Sequence, residues 1–250
     1  MIRAPYVVAF SLRGAPPKEA YHPALWPVRL VGRDTPLERP GAQWTPKVQR
    51  AKETNVRLAA AAIDGAVIWP GEVFSWHRWV GPPLRARGFQ AGPELHGDTI
   101  GLGVGGGACQ LANMLFWLAV HAGLEITERH RHGYDLFPDH ERTVPFGAGA
   151  TVYHPSLDLR LRNPHEQPLV LRAWVLEGRL FGEIRGRRPL PSTWRLVERG
   201  ARFFAEGDVI WRENTLVRER LEGGVAVEEE ILGHNLARVL YPVPPEEVAP

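Results

Sequence analysis

Two helical segments come first in this chain, and short runs of alternating apolar and polar residues fill most of the sequence after Gly123. That order constrains the fold more than any other feature. Helices first and many strands afterwards specify an α+β architecture with a mostly antiparallel sheet. Thr45-Pro46 reads as an N-cap followed by proline at the first helical position. Lys47 to Ile63 then offers Val48, Ala51, Val56, Ala59, Ala60 and Ile63 for one apolar face, and Asp64-Gly65 ends it. The second helix runs from Cys109 to about Ala122, with Gly123 as its stop.

Between the helices, Ala66–Trp69 reads as a strand, Pro70-Gly71 as a turn and Phe74–Val80 as a second extended piece. Residues 81–100 read as loop. Downstream, 124–130, 151–153 and 157–162 alternate, and 169–176 with 179–185 form a hairpin about Glu177-Gly178. Further short strands are expected near 208–212, 225–232 and 237–241. The division expected is an N-terminal extension over 1–44 with one short strand at Tyr6–Ser11, a main domain over 45–190, and a β-rich extension over 191–250. In the main domain the cysteine-bearing helix packs on the sheet.

A net charge of +2 leaves no clustered basic face for nucleic acid. The densest basic patch, Arg185 to Arg188, is short and reads as a solvated loop. One cysteine permits no internal disulfide. No segment reaches the roughly 18 apolar residues of a transmembrane helix. The start is too short in apolar residues for a signal peptide, so the sequence as written implies the cytoplasm, or the envelope if the start codon is misassigned. No cofactor is expected.

The lone Cys109 follows the run Gly101-Leu-Gly-Val-Gly-Gly-Gly-Ala and opens the second helix. Unpaired N–H groups and the positive helix end favour a thiolate there and lower its pKa. A nucleophilic cysteine also needs a base, and His130 and His132 lie on the strand after the helix, two apart and so on one face. His121 sits at the far end of the helix, about 18 Å away, and is no partner.

Other readings use the same residues. Gly101 to Gly106 matches a dinucleotide fingerprint by form, but no hydrophobic strand precedes it and no lysine follows. Cys109, His130 and His132 with Asp135 make a conceivable zinc set without paired-cysteine spacing. Cys109 is alternatively a small buried hydrophobe. Glu72, His77 and His96 could line a groove, and Trp69, Trp76 and Trp79 are core or groove wall. Glu125 and Glu128 read as solvent-facing or paired charges. Asp158 and Arg160 share a face and could pair, or Asp158 could orient a histidine.

Asn55…Leu58-Ala-Ala…Ile63-Asp-Gly65…Pro70-Gly71-Glu72…Phe74-Ser75…Val80-Gly81 resembles the opening of the VanW family. Gly105-Gly-Gly-Ala-Cys109-Gln110 resembles its central signature, and Glu128-Arg-His130-Arg-His132 and Thr151-Val152…Asp158-Leu-Arg…Asn163 its later blocks. The match keeps its order from about Asn55 to Pro168. The family is associated with glycopeptide resistance, and some members are described as cysteine L,D-transpeptidases that cross-link peptidoglycan.

The resemblance implies Cys109 as nucleophile and His130 or His132 as its partner. It implies acyl transfer through a thioester to a peptidoglycan stem peptide or precursor, with Gly106, Gly107, Gln110, Trp76 and His96 toward the substrate. Three departures stand out. Ala112-Asn113 replaces small hydroxylic residues, Gly133 replaces serine, and Gly149 replaces an aspartate before Ala-Thr-Val. If that aspartate orients the base in the family, this chain uses another group, such as Asp158 or Asp135, or does without one. The alternatives are a non-catalytic binder of wall fragments, using Trp76, Trp79 and His96, and a Cys/His metal-site protein.

Overall fold

The computed structural model describes residues 22–38, 44–96, 99–131, 133–136, 138 and 142–249. The strand expected at Tyr6–Ser11 and the residue His132 lie outside them. Among the described residues three α-helices, α1 (Pro46–Ile63), α2 (Trp76–Val80) and α3 (Cys109–His121), combine with four antiparallel-dominated sheets, an α+β fold.

The first sheet orders β1 (Val28–Pro36), β10 (Arg179–Gly186), β9 (Leu169–Leu176) and β2 (Ala66–Ile68). The small sheet at the site orders β3 (Val73–Ser75), β8 (Arg160–Arg162) and β6 (Glu125–Glu128). A hairpin of β4 (Ala91–His96) and β5 (Thr99–Val104) stands alone. The last sheet orders β14 (Val248–Ala249), β11 (Thr193–Glu206), β12 (Val209–Glu222), β13 (Val225–Val239) and β7 (Tyr134–Asp135).

Both long helices form where the sequence places them. Thr45 Oγ1 accepts the Val48 amide at 3.4 Å, and the buried face of α1 is Ala51, Asn55, Val56, Ala59, Ala60 and Ile63. Helix α3 is buried nearly all round, through Leu111, Ala112, Met114, Leu115, Phe116, Leu118, Ala119 and Val120, as expected of a helix packed on several sides. Strand β10 approaches it so closely that a Cβ at Gly182 would lie 2.5 Å from Met114 Sδ.

Three local expectations change. Phe74–Val80 is not one extended piece: β3 ends at Ser75, whose hydroxyl accepts the Arg78 amide at 3.2 Å and starts α2. The stretch read as loop before the glycines contains the β4–β5 hairpin, because alternating glycines hid the period of two. The tail forms strands of 14, 14 and 15 residues, much longer than expected. Their alternation carries Arg and Glu where a soluble strand usually carries apolar residues, and many pair across strands, as Arg195 does with Glu219 at 2.5 Å.

The tail docks on α3. Trp194 packs where a Cβ at Gly123 would be 2.6 Å from its ring, and Arg218 Nη1 donates to the Leu124 carbonyl. Leu216 belongs to the same buried cluster as the α3 side chains. No helix among the described residues is long and apolar enough to cross a membrane.

Asn55 is fully buried in the apolar face of α1, and its amide is saturated. Nδ2 donates to the Gln90 and Gly106 carbonyls, both at 2.9 Å, while Oδ1 accepts the Gln90 amide at 2.8 Å. Asn55→Ala strands two backbone groups, the Gly106 carbonyl and the Gln90 amide, while the Gln90 carbonyl keeps the Gly105 amide, and it should cost about 2–4 kcal/mol in urea unfolding. Thr45→Ala, at a solvated cap, should cost about 1 kcal/mol.

Candidate functional site

The glycine run is a turn built between the hairpin and α3. Gly105 and Gly107 have φ of 90° and 91°, which glycine adopts without strain. Gly106 needs its missing side chain for another reason: a Cβ there would lie 2.3 Å from the Gly92 carbonyl oxygen. A Cβ on Gly107 would lie 2.4 Å from Lys52 Cγ. Both Gly106 and Gly107 therefore serve close approach, and α1 supplies the surface that Gly107 fits against.

Cys109 is the first residue of α3, and its thiol donates to the Val152 carbonyl at 3.6 Å. The residue keeps partial exposure, but burial of the sulfur pushes the thiol above its usual range. Backbone hydrogen bonds at Val152 and at Cys109 itself pull the other way, and the charge of Glu94 adds to the rise. This reverses the expectation of a lowered pKa. A helix end contributes about 0.3–1 kcal/mol, less than one pKa unit, whereas burial can reach about 3–5 units. Desolvation wins.

His130 pairs through its backbone with the segment that holds the sulfur. Its carbonyl accepts the Thr151 amide at 2.8 Å, and Val152 is the next residue. The imidazole Nε2 contacts Glu128 Oε1 at 2.9 Å. Glu128 also accepts the Asp158 amide at 3.2 Å and meets Arg160 Nε at 3.3 Å. An imidazole held by a carboxylate is thus present, and the carboxylate is Glu128, which the sequence suggested only as a solvent-facing or paired charge. The signal was there: Glu128 and His130 are two apart, so they share a face when the strand continues.

Asp158 has a different task. It is buried, 2 % exposed, and accepts from Ser75 Oγ at 2.6 Å, the His77 amide at 3.0 Å, the Leu159 amide at 2.9 Å and Arg160 Nε at 2.9 Å. It fixes the start of α2 to β8 and pairs with Arg160. Asp135 is also committed elsewhere. It is buried beside Arg142, Arg212 and Tyr241, and Tyr241, 2.8 Å from its carboxylate, is pushed up to about 12, chiefly by burial.

The residues expected near substrate are divided. Gln110 turns away from the cysteine, donating to Thr35 Oγ1 at 3.1 Å and the Pro36 carbonyl at 2.7 Å, so it ties α3 to β1. Trp76 lies in the core, 4 % exposed, and Trp79 stacks on Phe74 with centroids 6.5 Å apart. His96 ends β4 opposite Thr99. Glu72 Oε2 accepts the Trp69 amide at 3.1 Å and closes the turn after β2. His121 stacks on Trp117 at the opposite end of α3. Among the described residues no group of three or more His, Cys, Asp or Glu side chains could hold a metal ion.

Two of the departures from the family pattern meet in space. Asn113 Oδ1 accepts the Ala150 amide at 2.7 Å, and a Cβ at Gly149 would lie 2.6 Å from that same oxygen. The amide of Asn113 fills the room that a side chain at 149 would need.

Alkylation by iodoacetamide reads the thiol directly. At pH 7 Cys109 should react more slowly than a free cysteine peptide, with the rate still climbing above pH 9. The sign follows from linkage: a raised folded-state value stabilises the fold below the ordinary thiol pKa of about 8.5, and that stability is lost as pH rises beyond it. Gly106→Ala should destabilise by about 1–3 kcal/mol, because the obstruction is backbone and cannot rotate away.

A family described as "VanW like protein" matches residues 51–185. The chain is 26% identical over 200 residues to the vancomycin B-type resistance protein VanW of Enterococcus faecalis, covering 78% of this chain and 72% of that protein. It is 35% identical over 127 residues to the uncharacterized protein YoaR of Bacillus subtilis, covering 50% of this chain and 39% of YoaR. It therefore spans well under half of YoaR. No solved structure matches it. With more than half its length matched, and with the glycine turn, Cys109 and the His130 strand inside the match, the chain belongs to the VanW-like family.

Proposed function

We propose that the protein is a cysteine-dependent acyl-transfer enzyme acting on peptidoglycan-related peptides. One observation carries the reading. The Cys109 thiol and the His130 backbone bond adjacent residues of one segment, Val152 and Thr151, and His130 is held by Glu128. This shared segment supports roles for Cys109 as nucleophile, His130 as base and Glu128 as the group that orients the base, the three parts such chemistry needs. The name of the Enterococcus relative, which refers to vancomycin resistance, supports a cell-wall substrate.

The resting thiol is protonated and bonded to Val152. A bound peptide carbonyl takes the place of that contact, and His130 removes the thiol proton as sulfur bonds to carbon. The carbonyl π electrons move to oxygen, where the backbone amide of Cys109, beside the sulfur, stabilises them. The C–N bond breaks, the departing amine takes the proton from His130, and a thioester remains. An acceptor amine, or water, then attacks the thioester, gives a proton to His130, and sulfur leaves and is reprotonated.

The raised thiol pKa favours a second reading, a binder of wall fragments without turnover. Incubating the protein with a stem tetrapeptide and an acceptor amine, followed by mass spectrometry of protein and product, separates the two. Acyl transfer gives a thioester adduct on Cys109, and product that Cys109→Ala abolishes. His130→Gln should slow it by about 10²–10⁴-fold. Peptide binding that is unchanged in Cys109→Ala, with no adduct or product in the wild type, establishes the binder instead.

A further inference from the structure

The block Glu128-Arg-His130-Arg carries two arginines that the acyl-transfer chemistry leaves unused. Side chains two apart on an extended chain share a face, so Glu128 and His130 take one side and Arg129 and Arg131 the other. Backbone carbonyls hold both guanidinium groups in place. Arg129 Nε donates to the Gly149 carbonyl at 2.7 Å and Nη2 to the Gly147 carbonyl, and the group lies 4.2 Å from the centre of the Phe116 ring. Arg131 donates through Nη1 to the Leu236 carbonyl and through Nη2 to the His234 carbonyl, both at 3.1 Å.

The two groups meet at β13. A Cβ built on Gly233, the residue before His234, would have Arg129 Nη1 at 3.9 Å as its closest contact beyond the adjoining residues. The missing side chain thus leaves a notch bordered by Arg129, and Arg131 holds the next residue of the strand. Arg131 is exposed and Arg129 half-buried, so the pair opens to solvent. Burial pulls Arg129 down to about 10, and the nearby charge of Arg131 adds to the fall, yet both remain cations at neutral pH.

Among the described residues neither guanidinium pairs with a carboxylate. Other arginines of the same sheet do, as Arg195 with Glu219 at 2.5 Å and Arg220 with Glu228 at 2.8 Å. Carbonyl oxygens orient a guanidinium without cancelling its charge, and each group has more N–H donors than its carbonyl partners use. Two adjacent cations with spare, forked donors match a doubly charged oxyanion, whereas one carboxylate would neutralise only half of the site. We infer that Arg129 and Arg131, beside the Gly233 notch, form a binding site for the phosphoryl group of a phosphate monoester. The site lies on the opposite face of the strand from His130 and does not depend on the acyl-transfer reading.

Calorimetric titration with glycerol 3-phosphate at constant ionic strength should show one saturable site per chain. Arg131→Gln should weaken it at least tenfold, and Arg131→Lys should lose less. Arg50→Gln, which removes the same charge from the exposed side of α1, should leave it unchanged. Vesicles carrying phosphatidic acid, used in turn, distinguish a lipid headgroup from a dissolved ester, and failure of both overturns the site. Equal affinity in the wild type and Arg131→Gln, an equal loss in Arg50→Gln, or equally tight binding of acetate also overturns it. Wild-type protein alone gives a second measurement if a variant fails to fold. Glycerol 3-phosphate should slow phenylglyoxal modification of Arg131 at least threefold more than that of Arg50, and equal protection of the two overturns the proposal.

Discussion

The amide of Asn55 is the contact on which the site depends. It stands in the apolar face of α1 and holds both Gln90, at the entrance to the β4–β5 hairpin, and Gly106, in the turn before Cys109. A polar group with no exposure is tolerated in such a place only when its hydrogen bonds are made, and these three bonds satisfy it. The position of Cys109 is in this sense set by a residue 54 positions earlier. The glycines permit the approach, and Asn55 fixes it.

A second layer of buried polar contacts does the same for the histidine side. Asp158 joins β3, α2 and β8 through Ser75, His77 and Arg160, and its own amide is held by Glu128. Glu128 in turn meets His130. Asp158 thus reaches Glu128 through its backbone amide, and Glu128 holds the imidazole of His130. These contacts form a small network in which Asp158 braces the fold and Glu128 touches the imidazole.

The electrostatics of the cysteine follow from competition between a weak local effect and a stronger global one. Sequence position at a helix start is visible in the sequence and favours a thiolate. The density of side chains around the sulfur, and the proximity of Glu94 from the hairpin, exist only after folding and favour the thiol. The pairing of Asn113 with Gly149 is of the same kind. In the sequence they are two unrelated departures, 36 residues apart, and in the fold they are one contact.

The sequence alone determined the two long helices with their caps and stops, the β9–β10 hairpin, the α+β class, Cys109 at a helix start, and the family. These are set by local periodicity, capping chemistry and glycine geometry, which act over a few residues. It also named His130, but without the group that holds it. Only the tertiary structure decided that the glycine-rich stretch before the turn is a hairpin, that Trp76 is core, that Gln110 serves β1, and that Asp158 braces α2. It alone raised the thiol pKa. Each of these depends on which groups meet across long separations and how much water they exclude, and neither is written in the spacing of residues along the chain.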